Sequence, residues 1–145
     1  MRNINFKPAA VNDWKLVEVI EKASPSPLFA SCADEEEYKK YLTDSTVYFI
    51  VSDDKTIGFI SHEAVENDVT LISGLVVLPD HRRQGVATEA LKKLLGELSG
   101  DLALYVHPEN TPALLIYLRA GFSIAEWRDN VFGDGQPRLF LKKKV

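Results

Sequence analysis

A chain of 145 residues, 46% hydrophobic and 26% charged, has the size and balance of one domain built on a single core. A formal net charge of −4 argues against a nucleic-acid surface, and no stretch approaches the roughly 20 apolar residues of a membrane-spanning helix. One cysteine, Cys32, rules out an internal disulfide framework and a thiolate metal cluster. The N-terminus has no apolar leader, so the expectation is a cytoplasmic protein with no membrane anchor and no metal.

Ile4 and Phe6 alternate with polar residues as in a short strand, which Pro8 is expected to end. Asn12 or Asp13 can cap a helix with Trp14, Leu16, Val17 and Ile20 on its apolar face, broken at Ser24-Pro25-Ser26-Pro27. Residues 28–33 carry no clear signal. Asp34-Glu35-Glu36-Glu37 opens a second helix with acids at its positive end, and Tyr38, Tyr41 and Leu42 give it an apolar side. The acidic run reads as a charged first turn; its sharper reading is an attractor for a cationic substrate. Val47–Ser52 and Ile57–Ala64 are strands joined by a hairpin turn at Asp53-Asp54-Lys55. After a turn at Glu66-Asn67-Asp68, Val69–Leu78 continues an antiparallel meander as a buried strand.

Pro79 cannot donate to a ladder and stops that strand. From Val86 the apolar residues Ala90, Leu91, Leu94, Leu95 and Leu98 recur at the helical period, with Gly100 as a stop. Asp101–Val106 is a short buried strand, and a strand–helix–strand crossover makes it parallel to Val69–Leu78. Thr111 is expected to cap a helix with Pro112 at its first position, ended by Gly121. Phe122–Trp127 and Leu139–Leu141 are two further strands, separated by a breaker-rich loop that includes Phe132, Gly133, Asp134 and Gly135. On a single strip of sequence, Arg82, Arg83, Gly85 and Ala87 stand where strand turns into helix. Free N–H groups, the positive end of the helix dipole, two guanidinium groups and a glycine without Cβ there make a phosphate or pyrophosphate site. Neither a P-loop nor a dinucleotide fingerprint is present.

The run Val77-x-Pro79 followed by Arg82-x-x-Gly85-x-Ala87 resembles the acetyl-CoA signature of the GNAT acyltransferases. A second run, Asn110 with Tyr117 seven residues on and then Gly121-Phe122, is similar to that family's downstream motif. The element order β-α-α-β-β-β-α-β-α-β-β also resembles the GNAT fold: an α/β (α+β) domain over residues 1–145, with a mixed, mostly antiparallel sheet, a central splayed parallel pair, and flanking helices.

The resemblance implies acetyl-CoA as cosubstrate. Backbone groups of Leu75 and Val77, with Val76 between them, would pair with the pantetheine arm. The backbone of Arg83, Gln84, Gly85, Val86, Ala87 and Thr88, beside Arg82, would hold the pyrophosphate, and Asn110 would help hold the arm. Tyr117 would be the general acid for the leaving thiolate. A phenol of pKa about 10 and a thiol of about 8.5 make that donation nearly balanced. The general base is left open. The central strand offers Leu71, Ser73 and Leu75 on one face and Thr70, Ile72 and Gly74 on the other, with no acid. Tyr105 stands where the similar ribosomal-protein alanine acetyltransferases carry Glu. Glu63, His62, Glu126 and His107 are candidates, as is a water relay. The implied reaction is direct acetyl transfer in a ternary complex to a primary amine, either a small molecule or a protein N-terminus. The rival is a non-catalytic acyl-CoA sensor of the same fold. Family members are often homodimers. The loop at Phe132 is expected to wall the acceptor site, against an ordinary hairpin turn.

Overall fold

The computed structural model describes residues 3–23, 28 and 30–144. In chain order these form β1 (Asn5–Pro8), α1 (Trp14–Lys22), α2 (Glu35–Asp44), β2 (Thr46–Ser52), β3 (Lys55–Val65), β4 (Val69–Val77), α3 (Val86–Glu97), β5 (Asp101–Val106), α4 (Thr111–Arg119), β6 (Ser123–Asp129) and β7 (Pro137–Lys143). The expected break at Ser24–Pro27 lies outside the described residues. None of the described helices is long and apolar enough to cross a membrane.

The seven strands make one sheet in the order β1-β2-β3-β4-β5-β7-β6. Only β4 and β5 run parallel, as a crossover through α3 demands. Asp53 and Asp54 both take positive φ, 51° and 62°, so β2 turns into β3 through a two-residue loop of the type that matches strand twist. Pro8 ends β1 as expected, being its last residue and paired with Tyr48; β1 is an edge strand, where a missing N–H is tolerated. Asn110, rather than Thr111, caps α4. Its side-chain oxygen accepts from Ala113 N–H at 3.5 Å, which places Pro112 one position further in. In α3, Leu98 is the C-cap and Gly100 (φ 82°) lies two residues beyond it.

Alternation along the central strands supplies two apolar layers. Phe49 and Phe59 point into one with Val17, Ile20, Tyr38 and Leu42 of α1 and α2. Ile50 and Ile60 belong to the other with Val86, Ala90, Leu91, Leu94 and Tyr117 of α3 and α4. Each such large side chain stabilises the fold by about 1.5–3 kcal/mol on burial. Within β3, Gly58 is dictated by crowding, because a Cβ there would lie 2.2 Å from the Val76 carbonyl oxygen.

On β4 the expected faces are wrong. Ser61 pairs with Gly74 and His62 with Ile72, so Ser73 is an extra, bulged residue. A bulge flips the alternation. Ile72 therefore shares a layer with Leu75 and Val77, whereas the unbulged pattern would have set it on the opposite face from Leu75.

Candidate functional site

The bulge also explains where the sheet opens. β4 and β5 pair only from Val69 with Asp101 to Ile72 with Leu104. Beyond Ser73 both strands continue, to Val77 and Val106, but they part. Leu78 N–H donates to the Ile57 carbonyl at 2.8 Å. By the alternation of an antiparallel ladder, Gly74 and Val76 also face β3, and the backbone groups of Leu75 and Val77 face the cleft. Arg82 is drawn back onto the same strand end, its Nε donating to Val77 O at 3.0 Å.

From β4 the chain makes one tight turn at Pro79–His81 and then enters α3 through two left-handed residues, Arg83 (φ 61°) and Gly85 (φ 78°). Such alternating backbone turns successive N–H groups toward a common point. Gly85 is the N-cap and supplies no side-chain cap, so the first-turn N–H groups of α3 are not consumed by one. A Cβ at Gly85 would meet nothing within 4 Å. Glycine is there for its backbone angle and for open approach, not for lack of room.

The result is a chamber of about 620 Å³ between the cleft and the N-terminal ends of α3 and α4. The sequence placed Leu75, Val76, Val77, Arg82, Arg83, Gly85, Val86, Ala87, Thr88, Asn110 and Tyr117 at a common site, and all of these line it, with His81, Pro112, Ala113 and Ile116. Gln84 does not; its Nε2 donates to the Asp80 carbonyl at 3.3 Å.

A second chamber of about 200 Å³ adjoins the first, and Leu75, Val76, Asn110, Ala113 and Tyr117 line both. Its further walls are Glu21 of α1, Leu28, Ala30 and Ser31, Phe59, Ile72 to Gly74, Tyr105 to His107, Phe132 and Arg138. Phe132 is therefore a chamber wall, and its loop is tied down on several sides. Asn130 Oδ1 accepts from Gly135 N–H (2.7 Å) and Asp134 Oδ1 from Gln136 N–H (2.9 Å). Asp134 Oδ2 accepts from Nη2 of Arg138 at 2.8 Å. Arg138 is 2% exposed, and its guanidinium lies 5.1 Å from the Phe132 ring. The Gln136 N–H and then Arg138 hold the Asp134 carboxyl below the usual range. Tyr105 meets Phe132 edge-on at 5.6 Å, and its hydroxyl accepts from Arg128 Nη1 at 2.6 Å.

Burial pushes the Tyr117 phenol up to about 12. That alters the balance expected from ordinary values: full proton transfer to a free thiolate of pKa about 8.5 is now uphill, while hydrogen-bond donation is not. Of the four sequence-derived base candidates only His107 lines a chamber. Its Nδ1 accepts from Glu109 N–H at 3.0 Å, which fixes the proton on Nε2, facing Gln136 Oε1 at 3.0 Å. Both His107 ring nitrogens are thus engaged. Glu63 faces Ser45 Oγ at 3.4 Å, Glu126 binds Arg128, and His62 lies beside Tyr48. The acidic run of α2 is a charged first turn: Asp34 caps it, Glu37 accepts from Ala33 N–H, and Glu35 pairs with Lys39 at 2.7 Å. Burial and the nearby Glu21, Glu37 and Asp34 carboxylates push the Cys32 thiol up to about 11, and it lines neither chamber.

Glu21 is the one carboxylate among the described residues that lines the smaller chamber, and the sequence reading does not single it out. Its signal was present: Val17, Ile20 and Glu21 stand at i, i+3 and i+4, which puts Glu21 on the apolar stripe of α1.

The family model for the acetyltransferase (GNAT) family matches residues 14–122. Among solved structures, the ribosomal-protein-S18-alanine N-acetyltransferase from Escherichia coli superposes with a TM-score of 0.81 at 21% identity, over 99% of this chain and 94% of its own. NAA60 from Arabidopsis thaliana, in complex with a bisubstrate analogue, gives 0.81 at 18% over 99% of both chains. A GNAT family acetyltransferase from Elizabethkingia anophelis, with acetyl-CoA bound, gives 0.74 at 20% over 99% of both.

Proposed function

The chain belongs to the acetyltransferase (GNAT) family, and from that premise we propose that it transfers the acetyl group of acetyl-CoA directly to a primary amine held in a ternary complex. The observation that carries this reading is the pair of adjoining chambers that share Tyr117, Leu75 and Val76 as a common wall. One chamber suits a long phosphorylated cosubstrate, the other a small acceptor group. Acetyl-CoA supplies an activated thioester; the remaining work is positioning and proton handling by this chain.

In the larger chamber the cleft-facing backbone of Leu75 and Val77 offers a strand edge to an amide-bearing arm. The N–H groups from Arg83 to Thr88, with the α3 dipole and the Arg82 and Arg83 charges, suit a pyrophosphate. Asn110 spends its oxygen on the α4 cap, so its amide nitrogen is the group left for the arm. Tyr117 stabilises the departing thiolate by donating a hydrogen bond, and its raised pKa keeps the phenol protonated for that role at neutral pH. Direct transfer is favoured over an acyl-enzyme because Cys32 is neither a ready thiolate nor in either chamber.

The E. coli neighbour acts on an alanine of a ribosomal protein, and a protein N-terminus is one acceptor this reading admits; a small amine is the other. The test is acetyl-CoA with a panel of small amines and N-terminal peptides, followed by thiol release and product mass. A product from any amine supports the reading. Calorimetric binding of acetyl-CoA with no product from any amine would sink it and leave an acyl-CoA sensor.

A further inference from the structure

We propose that Glu21 receives the acceptor's ammonium group in the smaller chamber and takes its proton ahead of acetyl transfer. The inference rests on the acetyl-transfer reading above and names the acceptor's class: a primary amine that is a cation in water, carried on an apolar body.

Glu21 is the one carboxylate among the described residues lining that chamber. Three of the other polar groups there are already committed. Arg138 is held by Asp134 and by the Pro137 carbonyl, His107 by Glu109 and Gln136, and Tyr105 by Arg128. Much of the rest of the wall is apolar, with Phe59, Ile72, Val106 and Phe132. A cation entering such a space is attracted to the one negative group, and an uncharged guest is not.

Glu21 is positioned rather than loose. Tyr38 donates its hydroxyl to Oε1 at 2.7 Å, and the Cys32 backbone N–H also bonds the carboxylate. A carboxylate has about four acceptor positions, so a third donor can still be served. The charged and titratable groups facing it are Tyr38 and Tyr41 of α2, Cys32 of the intervening segment, and Lys22 of its own helix. Burial outweighs the Tyr38, Cys32 and Lys22 contributions and holds the carboxyl above its ordinary value, which suits a proton acceptor.

The step balances. The ammonium proton passes to a Glu21 oxygen, giving a neutral amine and a carboxylic acid. The nitrogen lone pair attacks the thioester carbonyl, the C–N bond forms, the C–S bond breaks with its pair leaving on sulfur, and the second proton lost by the now acylated nitrogen passes to that sulfur, leaving a neutral amide and a free thiol. Tyr117 donates a hydrogen bond to the thiolate as it leaves.

The test compares Glu21→Gln with wild type on 2-phenylethylamine, a cation at neutral pH, and on O-benzylhydroxylamine, an uncharged analogue of the same shape. Glu21→Gln is expected to lower kcat/KM for the cation by about tenfold or more and for the neutral analogue by under about threefold, with acetyl-CoA affinity unchanged by calorimetry. Tyr38→Phe removes a bond that lowers the Glu21 pKa, so the acid limb of kcat/KM should move to higher pH. Equal losses on both amines with an unmoved acid limb mean a structural role and overturn the proposal. Wild type that binds acetyl-CoA but acetylates neither these amines nor any other of the panel overturns the parent reading, and this one with it. Turnover unchanged in Glu21→Gln overturns this one alone.

Discussion

The two chambers are made differently. The larger is built from two short runs, residues 75–88 and 110–117, and its decisive features are backbone ones: a strand that loses its partner, two left-handed residues, and an uncapped helix start. The smaller is assembled from α1, residues 28, 30 and 31, β3, β4, the end of β5, α4 and its cap, and Phe132 and Arg138, and its decisive features are side chains. A site made of local backbone geometry tolerates wide variation around it. A site made of distant side chains can change its guest by changing any one contributor.

Substitutions at four positions sharpen or break that contrast. Gly85→Glu should have the largest effect, weakening acetyl-CoA by more than about hundredfold, or about 2.8 kcal/mol. It puts a negative side chain at the turn proposed to hold the pyrophosphate and a Cβ on a residue at φ 78°, where that Cβ meets nothing within 4 Å. Gly85→Asn, which tolerates left-handed angles, should lose far less. Calorimetry on both variants, with folding checked, reads the result; equal affinity for Gly85→Glu and wild type would break the assignment of the turn.

Tyr117→Phe acts where the chambers meet. Its kcat should fall about hundredfold, with acetyl-CoA affinity kept. Steady-state kinetics decide it, and an unchanged kcat would reduce Tyr117 to a core aromatic beside Phe122.

Asp134→Ala releases Arg138 and the Phe132 wall. It should raise the acceptor KM several-fold and leave acetyl-CoA binding alone. If both constants move together, the chambers are not separable.

The smallest effect is on stability, and its sign matters. The Glu21 carboxyl is raised in the folded state. Its stability contribution is therefore fully present below the ordinary carboxylate pKa and is lost as pH rises through the folded value. Glu21→Gln should raise Tm at pH 7 relative to wild type, and raise it less, or not at all, near pH 4. A lower Tm at pH 7 would identify Glu21 as a structural residue.

The strand–turn–helix part of the larger chamber was legible because its parts are local, whereas Asn110 and Tyr117 entered through the family resemblance. Strand, turn and helix follow one another from Val69 to Glu97, and glycine and arginine placement reports backbone angle and charge directly. Asn110 shows the limit even there: its place in the motif was readable, but its oxygen is spent on the α4 cap instead of Thr111 serving there. Gln84 sits inside the motif and turns away from the chamber.

Composition, periodicity and motif spacing by themselves determined the element order, the parallel crossover and the strand-to-helix turn at Gly85, because each is a short-range consequence of side-chain alternation and of Gly and Pro. Only the tertiary structure decided the rest. It placed the bulge at Ser73 that parts β4 from β5, set Glu21 rather than the acidic run of α2 in the smaller chamber, and engaged both nitrogens of His107. Those outcomes depend on pairing register and burial between residues far apart in sequence, and such couplings leave no periodic trace along the chain.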